Sequence, residues 1–134
     1  MSGNWTYRPK SEKEKKNKFY GLKPRDWERE DFLDWFTNSE KKCHYCGLSE
    51  EECQEIVHRG ILRSNRFRFQ GLSIPGRTRG YWLEIDRRKP KEPYSRENCV
   101  FSCYFCNNDK SDVFDDKLYL EFMKDRVGFL RGLL

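Results

Sequence analysis

The sequence contains two Cys-x-x-Cys pairs, Cys43-His-Tyr-Cys46 and Cys103-Tyr-Phe-Cys106, separated by a long intervening segment. A Cys-x-x-Cys turn presents two thiolates at the spacing of a tetrahedral zinc site, and two such turns supply all four ligands. The cysteines therefore predict one closed, structural zinc site that folds the intervening segment back as a loop. The alternative is a set of free-thiol turns or a redox pair, although the thioredoxin-like βαβ pattern that usually accompanies a redox pair is missing.

The other two cysteines, Cys53 and Cys99, fall outside this spacing, and we expect them to be buried as small hydrophobic residues. The chain has no apolar stretch of membrane-spanning length, and its N-terminal segment is polar and basic, without a secretory signal. We therefore expect a cytoplasmic protein with reduced cysteines and no membrane contact.

Positive charge is concentrated in the middle of the 134-residue chain, whose net charge is +5. From Ile56 to Lys91 there are eight Arg and two Lys against Glu84 and Asp86 alone. Such density is typical of a face that binds nucleic acid phosphates, and double-stranded DNA is the expected partner. The alternative is a solvated basic loop. The candidate DNA contacts are Arg59, Arg63, Arg66, Arg68, Arg77, Arg79, Arg88 and Lys110.

Three segments carry helix patterns. Pro24 suits the first turn of a helix, Ser49 with Glu52 forms a capping-box pattern for a short helix through Val57, and a last helix begins at Asp115. Apolar residues recur on one face of the first and last of these helices. They are Phe32, Trp35 and Phe36 in the first, and Tyr119, Phe122, Met123, Val127 and Leu130 in the last.

Two segments alternate with the period of a strand, Arg66–Phe69 and Tyr81–Asp86, and Asn98–Phe101 indicates another short strand. Two prolines in Lys89–Tyr94 require a loop. A further helix is expected to start within Cys103–Cys106, which gives the order strand, loop, strand, helix.

This unit brings together an acid and an amide. Asp86 ends the first of its strands, and Asn107 lies in the first turn of its helix. Carboxylate and carboxamide oxygens suit a hard cation such as Mg²⁺ or Mn²⁺, which can stabilise charge during phosphodiester hydrolysis. The alternative is that Asp86 pairs with Arg87 or Arg88, and that Asn107 is a simple cap residue.

Taken in order, these motifs resemble the HNH, or ββα-metal, endonucleases that are built on zinc knuckles. The resemblance covers about residues 43–114. It implies an α+β fold with a small ββα-metal core, stapled by a four-cysteine zinc site and flanked by helices. The matching stretches are Ile85-Asp86-Arg87, Tyr94-Ser-Arg-Glu-Asn98 and Cys103-x-x-Cys106-Asn107-x-x-Lys110.

By the same resemblance Asp86 and Asn107 hold the catalytic metal, and Asn98 braces the loop between the strands. Most relatives carry His at the position of Arg87. Because Arg stays protonated, it is unsuited as a general base, and we expect it to bind the scissile phosphate instead. The general base must then be another residue or a water bound to the metal. We favour His58 for its pKa range, with a packing role as its alternative. The other candidates are His44, Tyr45 and Tyr81.

The predicted organisation is a basic N-terminal arm (1–27) and a nuclease domain (28–134) that ends in a C-terminal helix (115–134). The predicted function is a sequence-specific DNA endonuclease, of the type II restriction kind. Cleavage of both strands at a symmetric site calls for two copies, so we expect a homodimer. The alternatives are a homing or phage nicking endonuclease, a non-catalytic zinc-stabilised DNA-binding module, and a toxin or RNA-directed nuclease.

Overall fold

The computed structural model describes residues 12–64, 67 and 79–134. In chain order the elements are α1 (Glu12–Tyr20), α2 (Arg29–Asn38), α3 (Glu50–His58), β1 (Glu84–Arg87), β2 (Cys99–Ser102), α4 (Tyr104–Lys110) and α5 (Asp116–Met123), followed by a 3₁₀ turn, Arg131–Leu133. The strand expected over Arg66–Phe69 lies outside the described residues. None of the described helices is long and apolar enough to cross a membrane.

The centre of the fold is a two-stranded hairpin followed directly by a helix. Strands β1 and β2 are antiparallel, with Asp86 opposite Val100 and Arg87 opposite Cys99. The segment 88–98 joins them as a loop, as its prolines require. Helix α4 begins just after β2 and contacts β1. This strand, strand, helix order confirms the predicted α+β fold class with a ββα core.

The hairpin packs on the aromatic face of α2. Phe32, Trp35 and Phe36 are buried together on that face, as their spacing predicts. The Trp35 ring stacks on Phe101 of β2 with centroids 4.7 Å apart, and Phe19 of α1 contacts Phe32 at 5.3 Å. Burial of each phenylalanine side chain stabilises the fold by about 1.5–3 kcal/mol. Part of the segment predicted as an arm is therefore packed into the core through α1.

Helix α2 begins at Arg29, later than the start predicted at Pro24. The chain around Pro24 is instead paired with the loop of the hairpin. The Tyr94 amide donates to the Pro24 carbonyl at 3.1 Å, and the Asp26 amide donates to the Tyr94 carbonyl at 2.6 Å. These bonds form a bridge between Arg25 and Tyr94. A helix at Pro24 would remove this pairing, so a tertiary contact overrides the local preference.

Helix α3 carries the capping box that its sequence predicts. The Glu52 amide donates to Ser49 Oγ at 3.1 Å, and the Ser49 amide donates to Glu52 Oε1 at 2.9 Å. At the same end of the helix, the buried Glu50 side chain accepts a hydrogen bond from the Leu83 amide at 2.9 Å. This contact fixes where the chain enters β1.

The helix predicted over 115–134 is shorter than expected, since α5 ends at Met123. A turn follows in which Gly128 has a φ of 87°, a left-handed conformation that favours glycine. The 3₁₀ turn then returns to the first cysteine pair. Arg131 forms two hydrogen bonds with the Glu52 carboxylate, at 2.8 and 2.9 Å, and also donates to the Gly47 carbonyl.

Candidate active site and zinc site

The four predicted zinc ligands, Cys43, Cys46, Cys103 and Cys106, meet in one buried cluster. Their sulfur atoms all lie within 4.8 Å of one another, and the Cys46 and Cys103 sulfurs are 3.7 Å apart. A zinc ion bonded to four sulfurs at about 2.3 Å sets sulfur–sulfur separations of about 3.8 Å. The cluster therefore fits a structural zinc ion.

Local hydrogen bonds shape both halves of this cluster. In the first half, the Cys43 amide donates to Leu48 O at 2.8 Å, and the turn closes through Gly47, which has a φ of 81°. In the second half, Cys103 is the N-cap of α4, and its sulfur accepts a hydrogen bond from the Cys106 amide at 3.4 Å. One of the predicted zinc ligands, Cys103, thus also marks the start of α4.

The remaining cysteines take no part in the cluster. Cys53 and Cys99 are buried at 0% and 4% exposure. Burial raises the pKa of both thiols, that of Cys99 to about 12. Both therefore stay protonated at neutral pH, which matches their expected role as small hydrophobic residues.

Asp86, the predicted metal ligand of β1, is nearly buried at 7% exposure. The Tyr45 hydroxyl donates to its Oδ2 at 2.5 Å, and Lys110 Nζ lies 3.2 Å from the same oxygen. Lys110 is fully buried and also donates to the Arg87 carbonyl at 2.9 Å. Burial raises the pKa of Asp86, and its hydrogen bond from Tyr45 and the Lys110 charge oppose that rise.

Tyr45 acts as a hydrogen-bond donor in this arrangement. Burial, followed by its hydrogen bond to Asp86, raises the pKa of the Tyr45 hydroxyl. The phenol therefore keeps its proton at neutral pH and fixes the orientation of the carboxylate. Tyr45 was one of several candidate bases in the sequence, and its hydroxyl contacts Asp86 directly.

Asn107, the predicted metal ligand of α4, is held by an acid on β1. Its Nδ2 donates to Glu84 Oε1 at 2.7 Å. Arg79 in turn binds both oxygens of Glu84, at 2.9 and 2.7 Å, and its guanidinium lies over the Tyr104 ring, 4.7 Å from the centroid. Glu84 is not among the site residues predicted from the sequence. The two-residue period of the strand could have identified it, because this period puts Glu84 on the same side of β1 as Asp86.

Two parallel contacts therefore join β1 and α4: Glu84 with Asn107, and Asp86 with Lys110. Alternate residues of a strand share a face, and so do residues three apart on a helix. Asp86 and Asn107 consequently lie at the same β1–α4 interface.

Asp86 and Asn107 each have a second side-chain atom, an oxygen, of the kind that suits a hard cation. Within the described part of the chain, both contacts to the Asp86 carboxylate fall on Oδ2, and the Asn107 amide nitrogen is directed at Glu84. Oδ1 of each residue is the oxygen that could hold a metal ion. One carboxylate and one carbonyl oxygen, with waters, is a donor set that Mg²⁺ or Mn²⁺ accepts.

Arg87 ends β1 and points away from Asp86, since neighbouring strand residues face opposite sides. Its guanidinium lies 4.9 Å from the centroid of the Tyr94 ring, and Nη1 is 3.4 Å from the Glu92 carbonyl. The side chain is half-buried. Because guanidinium stays protonated, it offers donors for a phosphate and no acceptor for a proton.

Asn98 is buried and bonded to the loop that joins the strands. Its Nδ2 donates to the carbonyls of Lys89 at 3.1 Å, Glu92 at 3.3 Å and Pro93 at 3.1 Å. Its Oδ1 accepts from the Lys89 amide at 2.9 Å, and its own carbonyl accepts from the Arg88 amide at 2.7 Å. These bonds fix the loop conformation, which is what a bracing role requires.

His58 is the last residue of α3, whose first residue, Glu50, contacts the entry to β1. At the helical rise per residue, the backbone of His58 lies about 12 Å along the axis from that contact. His44 is exposed and its ring lies 5.1 Å from the Tyr45 ring, whereas Tyr81 is buried.

The candidate DNA contacts fall into three groups. Arg59, Arg63, Arg79 and Arg88 have partly or largely exposed side chains, and Arg88 is paired with the buried Asp116 at 2.7 Å. Lys110 does not fit a surface contact, because it is fully buried and pairs with Asp86. The others lie outside the described residues; they are Arg66, Arg68 and Arg77.

Comparison with known proteins identifies the fold. The structure is similar to that of the rare-cutting HNH restriction endonuclease PacI, with a TM-score of 0.59 and 25% sequence identity, over 81% of this chain and 68% of that chain. No protein-family model matches the sequence, and no curated protein sequence matches it. The chain therefore has the HNH endonuclease fold, which confirms the resemblance seen in its motifs.

Proposed function

We propose that this protein is a DNA endonuclease that hydrolyses phosphodiester bonds with a divalent metal ion. The observation that carries the proposal is that Asp86 and Asn107 lie at the same β1–α4 interface, in a chain that has the four-cysteine cluster and a fold similar to that of an HNH restriction endonuclease. The fold supports nuclease chemistry, and the two oxygens supply what that chemistry needs.

Asp86 and Asn107 would hold the catalytic ion through their Oδ1 atoms. When bound there, the ion supplies positive charge against the transition state of hydrolysis and the leaving oxygen. Tyr45 and Lys110 fix the Asp86 carboxylate from its other oxygen. This support keeps Oδ1 pointed to one side, as the partners of metal ligands do in known sites.

Arg87 is proposed to bind the scissile phosphate. Arg87 follows Asp86 in the chain and ends β1, and its guanidinium presents charged donors that match phosphate oxygens. Asn98 holds the loop beside it in place. Arg87→Ala should therefore lower the cleavage rate far more than it lowers DNA affinity, because the remaining basic residues keep the DNA bound.

The proton acceptor is proposed to be His58, because a neutral imidazole has a nitrogen that can accept a proton. Tyr45 is unsuited while its hydroxyl keeps its proton. The pH dependence of cleavage distinguishes the two imidazoles. His58→Ala should remove the acidic limb of the profile, with His44→Ala as the matched control. Loss of the limb in the His44 variant alone would transfer the role to that residue.

We further propose that the protein is a type II restriction endonuclease that acts as a homodimer. Two active sites are needed to cut both strands of a symmetric DNA site. The surface of α5 and the following turn exposes large apolar side chains that suit a second copy. They are Leu118, Phe122, Val127 and Phe129. Phe122→Glu should give a monomer in analytical ultracentrifugation, whereas Tyr20→Glu, at an exposed position on α1, should leave a dimer.

The test of the activity is a digest of supercoiled and linear DNA with Mg²⁺ or Mn²⁺, beside an Asp86→Asn variant. Discrete fragments that require the metal and vanish in the variant are expected, and their sequenced ends give the site and its symmetry. Glu121→Gln, at an exposed ion pair with Lys124, is the control. Tight binding to DNA that stays intact would instead identify a non-catalytic DNA-binding module, and nicked circles alone a nicking endonuclease.

A further inference from the structure

Asn107 offers two chemically different ends, and only one of them can bind a metal ion. The carbonyl oxygen is an acceptor that suits a hard cation, whereas the NH₂ group is a donor and repels it. A rotation of about 180° around the last side-chain bond exchanges the two ends at little steric cost. A site that relies on this amide needs a neighbour that selects one orientation.

Glu84 has the properties of that neighbour. An ionised carboxylate accepts hydrogen bonds and donates none, so it can pair only with the NH₂ end of the amide. The pair is close, with 2.7 Å between Asn107 Nδ2 and Glu84 Oε1. With the nitrogen fixed at Glu84, the oxygen is turned away from it.

The Glu84 carboxylate is itself held in place. Arg79 binds both of its oxygens in the bidentate geometry that fixes the plane of a carboxylate. The Glu84 side chain is 15% exposed, and the Arg79 guanidinium is backed by the Tyr104 ring. The position of Glu84 therefore does not depend on Asn107, as a selecting group requires.

We propose that Glu84 is a positioning residue, which fixes the Asn107 amide with its oxygen available to the catalytic ion, and that Arg79 holds Glu84 for this purpose. The inference rests on the proposed function, because it assigns a task to a residue of the same site. It gives Arg79 a role other than the DNA contact expected from the sequence.

Metal affinity can be measured without DNA and without cleavage. Zinc-loaded protein is titrated with Mn²⁺, and free Mn²⁺ is followed by electron paramagnetic resonance. Loss of a group that orients a metal ligand typically lowers affinity about 10- to 100-fold, and we expect Glu84→Ala to fall within this range. Glu84→Gln keeps an acceptor oxygen for the amide, so its affinity should lie closer to that of the wild type.

A second set of variants, made in an Asn107→Asp background, tests whether Glu84 selects the orientation of the amide or only packs against residue 107. In an Asn107→Asp variant both ends of the side chain are oxygens, so no orientation needs to be selected. There Glu84→Ala should leave Mn²⁺ affinity unchanged or increase it, because it removes a like charge from the neighbouring carboxylate. An equal loss of affinity from Glu84→Ala in both backgrounds would overturn the proposal, and so would wild-type affinity in Glu84→Ala itself.

Controls separate three outcomes: an unfolded variant, a failure of the proposed function, and a failure of the proposed role of Glu84 alone. Zinc content and melting temperature of every variant show that the fold is intact. Asp86→Asn tests the metal site as such: if it binds Mn²⁺ like the wild type, the proposed function fails. If Asp86→Asn loses Mn²⁺ but Glu84→Ala does not, only the positioning role of Glu84 fails.

Discussion

Replacement of Lys110 by methionine should be among the most destabilising single changes in this protein. Lys110 is fully buried, 3.2 Å from Asp86 Oδ2 and 2.9 Å from the Arg87 carbonyl. Methionine matches its length and fills the space, so the loss is mainly one of charge and hydrogen bonds. Asp86 then keeps Tyr45 as a donor but has lost the buried cation beside it.

The cost can be divided between the two partners. A buried charge left without its partner costs about 3 kcal/mol at the lower end of the measured range, which suits Asp86 because the Tyr45 bond remains. The unbonded Arg87 carbonyl adds about 1 kcal/mol. Lys110→Met should therefore destabilise the fold by about 4 kcal/mol, a large part of the 5–15 kcal/mol that holds a typical domain together.

The assay is urea unfolding of zinc-loaded protein, without other divalent ions, for a double-mutant cycle with Asp86→Asn. In the Asp86→Asn background the buried Lys110 ammonium has already lost its carboxylate partner, so Lys110→Met removes an unpaired charge and should cost less than about 1 kcal/mol or stabilise the fold. The coupling between the two positions is then at least about 3 kcal/mol. An equal cost in both backgrounds would refute the reasoning, because it would show that Lys110 stabilises the fold without regard to the Asp86 charge.

In the same double-mutant cycle, the destabilisation caused by Lys110→Met should depend on pH. Burial already raises the pKa of Asp86 above its usual value of 3.8, and loss of Lys110 raises it further. An acid with a raised pKa in the folded state destabilises the fold while it is ionised. As the pH falls through this raised pKa, Asp86 takes up a proton and the penalty of Lys110→Met should shrink. The penalty should vary little with pH in the Asp86→Asn background.

Three further outcomes are expected. Cys103→Ser should lower both the zinc content and the melting temperature, whereas Cys53→Ala should keep its zinc by atomic absorption; full zinc in the first variant would contradict the four-sulfur site. Asn98→Ala removes four side-chain hydrogen bonds and should cost about 2–4 kcal/mol in urea unfolding, and a cost below about 1 kcal/mol would mean that solvent replaces them. Hydrogen bonds from Arg131 lower the pKa of Glu52 to about 2, so they add stability above the ordinary glutamate pKa that is lost as the pH falls toward 2. Arg131→Gln should therefore destabilise the fold at neutral pH but not near pH 2 in acid-unfolding curves, and a pH-independent difference would argue for packing instead.

Local patterns in the sequence predicted much of this fold. The cysteine spacing indicated the zinc cluster, the Ser49–Glu52 pair indicated the start of α3, and the spacing of Phe32, Trp35 and Phe36 identified the buried face of α2. Each of these signals lies within a few residues, so the chain reveals it without tertiary information. The alternation of the strand residues and the prolines of the loop indicated the order of the ββα core, and the resemblance to HNH endonucleases agreed with it.

Contacts between distant segments could not be read in the same way. The start of α2 was misplaced because Pro24 pairs with Tyr94, a partner that no local pattern identifies. Likewise nothing in the sequence around Asn107 shows that Glu84 holds its amide, or that Tyr45 reaches Asp86. Such bonds depend on how β1, α4 and the first cysteine pair are packed, and only the folded chain brings them together.

Cys103 belongs to the four-cysteine cluster and is also the N-cap of α4. Metal binding by the cluster and formation of this helix are therefore linked. The helix that carries Asn107 and Lys110 begins directly after this residue, so the proposed active site would lack a fixed geometry until the cysteine cluster has bound its metal. Magnesium, however abundant in the cell, cannot substitute for that step, because a hard ion does not bind four thiolates. Cellular zinc supply would thereby decide when the proposed active site is assembled.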